Sequence, residues 1–136
     1  MQANVADFYT IVTVTNPDDV SLPFDAGIGF RSTGDGAVAY VISVRSGGTW
    51  ELDGFPDTQG MVSGLNPEPG ASNTLELLVH GGTAMFFVNG VVQTQFDVSQ
   101  DTDPGNVYLF TGYVPGSSVD GRRVSYQDWW LFPIPA

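Results

Sequence analysis

Apolar residues recur at every second position along most of the chain, and no stretch shows helical spacing. Phe8–Thr15 (FYTIVTVT) is a β-branched and aromatic run, ended by Asn16-Pro17-Asp18-Asp19. Residues 26–33 place Ile28 and Phe30 on one face, with Gly27 and Gly29 opposite, where close packing is expected. Gly34-Asp35-Gly36 turns the chain into residues 37–45, in which Val38, Tyr40, Ile42 and Val44 share a face. After Ser46-Gly47-Gly48, Thr49–Asp53 alternates Trp50 and Leu52 against Thr49, Glu51 and Asp53. The pattern predicts an antiparallel meander.

Residues 54–72 are irregular, with Pro56, Pro67 and Pro69 and room for one short edge strand near Met61-Val62. A loop of this length is either a crossover between sheets or a functional loop. Residues 73–80 turn Leu75, Leu77 and Val79 inward. Thr83–Val88 and residues 91–98 flank Asn89-Gly90, the pair suited to a two-residue type I′ hairpin. Further strands are predicted at 106–113 and 123–132, separated by a Gly/Ser/Pro loop at 114–121. Eight or nine short strands with regular turns predict an all-β fold: a two-sheet antiparallel β-sandwich of jelly-roll type, in one domain covering 1–136.

Charge narrows the partners. Fifteen acidic residues stand against four Arg and no Lys, a formal net charge of −11. Such a chain repels phosphate backbones and anionic membrane surfaces, so nucleic acid is not an expected partner. An acidic surface serves solubility, or attracts cations or a basic partner. There is no Cys, which rules out disulfides and thiolate chemistry. No apolar stretch reaches the length of a membrane span, and the N-terminus has no signal-like segment. Met1 reads better as the start of a module cut from a larger protein than as a native start.

The order of short motifs carries a family likeness. GIGFR at 27–31 precedes AYVISV and GTWEL. NTLELLVHG follows from Asn73, then FFVNG at 86–90, then the terminal VSYQDWWLF. This series, covering residues 8–132, resembles laminin G-like domains of the bacterial type, within the concanavalin A-like lectin/glucanase superfamily. The resemblance implies a lectin-like sandwich with calcium at a loop rim in some members. It also implies a strand ahead of Phe8, which is either missing or reduced to the stretch before Asp7. A missing strand would leave an open edge through which the chain could form a homodimer.

Hydrolases of that superfamily carry two or more carboxylates on one strand, and glycosidases need a flanking pair. Only Glu51, Glu68 and Glu76 are available, and Glu51 with Asp53 reads as a solvated strand face. His80 is the single histidine and reads as an edge residue, so no catalytic residue is assigned and the chain is not expected to be an enzyme. Asp101, Asp103 and Asn106 offer alternating oxygen ligands around Gly105, a candidate calcium loop that equally fits an ordinary turn. Calcium is the one cofactor considered.

Sugar recognition combines an apolar surface with a few placed polar groups. Phe30, Phe86, Phe110 and Phe132 lie in apolar runs and are expected to be buried. Trp129 and Trp130 are adjacent, so one must face outward in a regular strand; the likeness places a bulge near Gln127-Asp128 with Trp129 in the core and Trp130 out, whereas simple counting from Tyr126 puts Trp130 in. Arg31, Trp50, Tyr113 and Trp130 are the candidate ligand residues, with Arg31 and Arg45 equally suited to structural ion pairs. The expected function is a non-catalytic, extracellular or cell-surface recognition module for a carbohydrate or a protein surface. The alternative is a structural module that assembles through an open edge or aromatic patch.

Overall fold

The computed structural model describes residues 4–21, 23–54, 56–111 and 124–135. These form ten strands: β1 Phe8–Thr15, β2 Asp25–Ser32, β3 Val38–Arg45, β4 Thr49–Asp53, β5 Thr58–Met61, β6 Ser72–His80, β7 Thr83–Val88, β8 Val91–Asp97, β9 Tyr108–Phe110 and β10 Ser125–Pro133. One sheet runs β10-β1-β6-β7-β8 and the other β5-β4-β3-β2-β9, with every pairing antiparallel. The chain is therefore an all-β jelly-roll sandwich, as the alternation predicts.

The inward positions of both sheets meet in a single hydrophobic cluster. Phe8, Val12, Leu75, Leu77, Val79 and Phe86 come from the first sheet; Ile28, Phe30, Tyr40 and Ile42 come from the second. Each such side chain contributes roughly 1.5–3 kcal/mol by leaving water. The Asn89-Gly90 turn has positive φ at both residues (51° and 79°), as a type I′ hairpin requires. Gly29 is glycine for a packing reason: a Cβ there would lie 2.2 Å from the Phe110 ring.

The likeness implies a strand ahead of Phe8; among the described residues β1 is the first strand and lies between β10 and β6, which leaves β10 and β8 as this sheet's edges. Ahead of β1, Val5 makes only an isolated bridge to Gly105. Phe132, expected in the core, is 52% exposed. Its cross-strand partner is the outward residue Tyr9, on whose ring it stacks at a centroid distance of 6.2 Å.

The irregularity in β10 explains the tryptophan pair. Register shifts between Ile11 and Thr13, and Asp128 opposite that shift takes a left-handed φ of 52°. Trp129 turns toward the core and donates its indole N–H to Thr10 Oγ1 at 2.8 Å. The buried Thr10 hydroxyl in turn donates to the Trp130 carbonyl at 2.7 Å. Trp130 points outward and is 62% exposed.

The outer face of this sheet is unusual for an antiparallel sheet, which commonly alternates apolar inside with polar outside. Register sets Phe132, Tyr9, Leu78 and Met85 in one cross-strand row. Trp130, Ile11, Glu76, Phe87 and Val92 form the next. Glu76 accepts a hydrogen bond from the Tyr9 hydroxyl at 2.6 Å. Burial, then that bond to a carboxylate, pushes the Tyr9 pKa up to about 12.

Candidate functional site

At the end of β3 the chain turns through Ser46-Gly47-Gly48 into β4. Gly48 adopts a φ of 92°, a conformation glycine takes without strain. The turn is held to the residue before β2: Ser46 N–H donates to the Phe24 carbonyl at 2.8 Å, and Phe24 N–H donates to Ser46 Oγ at 3.0 Å. Arg45, at the last position of β3, sits across from Asp25 on one side and Thr49 on the other. Its Nη2 lies 2.5 Å from Glu51 Oε2, one outward position further along β4. The side chains are 36% and 27% exposed, so water screens this pair. Arg45 Nε, by contrast, is buried and has no hydrogen-bond partner among the described residues. A donor so placed carries a desolvation cost that an acceptor would relieve.

Phe24, Arg45, Ser46, Gly47 and Thr49 line a cleft of about 490 Å³. Val20, Pro23, Phe24 and Pro67 give it apolar walls, and Arg45, Ser46 and Thr49 supply the polar groups. An apolar lining with few convergent polar groups is the usual make-up of a small-ligand site.

The wall at Pro67 belongs to the irregular segment after β5, and a set of asparagines fixes it. Asn73 is buried and donates to the Asn66 carbonyl at 2.9 Å, while its own Oδ1 accepts from Asn66 N–H at 2.8 Å. Asn16, also buried, donates to the carbonyls of Asn66 and Glu68 at 2.8 and 2.9 Å. Asn89 donates to Asn73 Oδ1 at 2.8 Å and to the Gly64 carbonyl at 2.9 Å. Asn73→Ala leaves Asn66 N–H and the Asn89 amide without this acceptor, and the Asn66 carbonyl without the Asn73 donor, an expected loss of about 2 kcal/mol. Chemical denaturation measures that loss. Limited proteolysis should cut earlier within 62–71, and an unchanged cleavage pattern would show that the segment holds itself.

The residues singled out by sequence fall in different places. Arg31 takes the structural role, one of the two open to it. Its φ of 57° turns the side chain off the outer face and into the end of the sandwich, where it is 1% exposed. Nε donates to the Ala6 carbonyl at 3.1 Å, and Nη1 donates to the carbonyls of Val98 and Asp101 at 2.9 and 3.1 Å. Nη2 donates to the Gly81 carbonyl at 2.5 Å and to Asp7 Oδ1 at 3.3 Å. Burial lowers its pKa while the Asp7 carboxylate opposes the shift; a guanidinium remains charged here. With its donors so committed, Arg31 acts as a structural clamp.

Trp50 is 9% exposed and packs inward, with Gly60 so close that a Cβ there would lie 2.7 Å from the indole. It reaches one wall of a smaller cleft of about 320 Å³ between the sheets, beside Thr58, Thr94 and Asp97. Tyr113 lies outside the described residues. Trp130 lies on the other sheet from Arg45.

At the proposed calcium loop, Asp101 Oδ1 accepts its own loop's Asp103 N–H at 3.0 Å, and Asn106 Nδ2 donates to the Tyr108 hydroxyl at 3.2 Å. Among the described residues, no three His, Cys, Asp or Glu side chains converge as metal ligands would. Glu51 is engaged with Arg45 and is not a free carboxylate beside Asp53. The cleft at Arg45 is what the sequence reading missed: its walls come from segments around residues 20, 46 and 67, joined only by folding. The one signal was Arg45 itself, a cation on a strand of a chain with four.

Two five-stranded antiparallel layers packed face to face make a jelly-roll sandwich, a fold the chain shares with solved galectins. The chain superposes on sheep galectin-11, solved in complex with glycerol, with a TM-score of 0.68 and 13% identity over 97% of this chain and 95% of the other. A variant of human galectin-16 gives 0.65 and 14%, covering 98% and 93%. The carbohydrate binding module CBM66 from Bacillus subtilis gives 0.64 and 12%, covering 97% and 77%. No protein-family model matches the chain, and no curated protein matches it. At these identities the likeness is one of fold.

Proposed function

We propose that the chain is a non-catalytic, lectin-like module that holds a glycan in the cleft beside Arg45. The carrying observation is Arg45: it lines an apolar-walled cleft of about 490 Å³, is paired with Glu51 on one side, and its buried Nε has no hydrogen-bond partner among the described residues. A sugar offers what this arrangement lacks. Its hydroxyl oxygens accept from the guanidinium, its O–H groups reach the Ser46 and Thr49 hydroxyls, and its C–H face packs against Phe24 and Pro23. The structural neighbours support the reading, since they are galectins and a carbohydrate binding module. The finer features belong to the same reading: a laminin G-like domain of the bacterial type, 1–136 as one unit, carried by a larger extracellular or cell-surface protein.

The test is a glycan array followed by calorimetry on the best ligand. Arg45→Ala should weaken binding by about 10- to 100-fold, the worth of hydrogen bonds to a charged donor. Trp130→Ala, on the opposite sheet, should leave it unchanged. Binding that survives Arg45→Ala and is lost in Trp130→Ala would move the ligand to the aromatic face and end the cleft reading.

A further inference from the structure

We infer that the outer face of the β10-β1-β6-β7-β8 sheet is an interface that receives a second copy of this chain. The inference is independent of the glycan cleft, which lies at a rim of the sandwich.

The face is apolar where solvent exposure calls for polar residues. Trp130, Phe132 and Val92 are 62%, 52% and 50% exposed, and Tyr9, Ile11 and Phe87 are half-buried between them. Scattered apolar residues need no explanation, but the row from Trp130 to Val92 crosses all five strands, and the row beside it is apolar from Phe132 to Met85 before ending in Gln95 on β8, so the two form a contiguous patch.

Charge points to a like partner. The chain carries 15 acidic residues, yet the two rows hold a single carboxylate, Glu76, already bonded to Tyr9. A basic partner would need acidic groups on this face. Two copies at −11 each repel everywhere except where charge has been removed, and this face is such a place.

Shape and size agree. Five strands about 4.8 Å apart, each rising about 3.4 Å per residue over eight residues, span a face on the order of 600 Å². Two such faces bury on the order of 1,200 Å², the lower bound for specific interfaces. A two-fold axis along β6 lays the bulky end of one face, Trp130 and Phe132, over the flatter end of the other, Met85 and Val92. Sheets packed this way stack about 10 Å apart with interdigitated side chains.

The experiment is sedimentation equilibrium of the full chain from micromolar to hundreds of micromolar, with Trp130→Lys and Val92→Lys beside it. Near-ultraviolet circular dichroism checks that each variant folds. Val92 sits on β8, four strands from β10, so its substitution breaks face packing and leaves the β10 edge untouched. The expected result is a concentration-dependent dimer whose dissociation constant rises at least ten-fold in each variant. Should Trp130→Lys fail to fold, Val92→Lys alone decides. A chain that stays monomeric throughout overturns the inference, and so does a dimer that persists in Val92→Lys, which would place the contact elsewhere.

Discussion

Arg31→Met is expected to destabilise the fold by about 3–5 kcal/mol, the cost of removing one partner from a buried, hydrogen-bonded charge pair. Arg31 gathers the carbonyls of Ala6, Gly81, Val98 and Asp101 with the Asp7 carboxylate. Methionine fills the volume but donates nothing. Four backbone acceptors cannot be mutated away, so the usual rescue, replacing both partners with apolar groups, is closed here. Lysine is an expected failure too, because one ammonium cannot reach acceptors arrayed around a planar five-donor group. Against a total stability of roughly 5–15 kcal/mol, the loss removes a large share. Urea denaturation of the wild type, Arg31→Met and Arg31→Lys measures it. A methionine variant within about 1 kcal/mol of wild type would show that water replaces the guanidinium.

Phe30→Ala should cost a similar amount, about 3–5 kcal/mol, for a different reason. The ring is fully buried between Phe8, in an edge contact at 5.9 Å, and Tyr40, stacked at 5.3 Å. Its removal leaves a cavity between two packed layers that close only in part. The conservative variant separates the two mechanisms: Phe30→Leu should recover about half of the loss, whereas Arg31→Lys recovers little. Equal rescue at both positions would contradict this assignment of causes.

What could be read in the chain followed from periodicity. Strands of period two gave their inward faces directly, and Asn89-Gly90 announced its hairpin through the φ values that only such residues take easily. Trp130 was legible with the help of the bulge at Asp128. Period-two counting fails at a residue that leaves the extended region, and Arg31 is the example: its left-handed backbone sends the side chain inward, against the face assigned by its neighbours. Phe132 was misread because an apolar run does not say which of two faces is buried. The cleft at Arg45 was out of reach, since Phe24, Ser46 and Pro67 are neighbours in space only. Asn16 and Asn89 read as turn residues and Asn73 as the start of a strand, and nothing in the spacing of 16, 66, 73 and 89 shows that they bond to one another.

The pairing of β1 with β10 also sets how the sandwich responds to force. Phe8, at the start of β1, pairs with Pro133, at the end of β10, and the Ile134 N–H reaches the Asp7 carbonyl at 3.0 Å. A pull through the two flanking chain segments therefore loads this ladder from one end. The rungs open singly, as in unzipping, instead of sharing the load as in shear. β10 peels away first, taking Trp129 from Thr10 and opening the core at Phe8 before the other eight strands carry tension. Stretched between two anchored neighbours, the module would yield gently from its outermost strand inward.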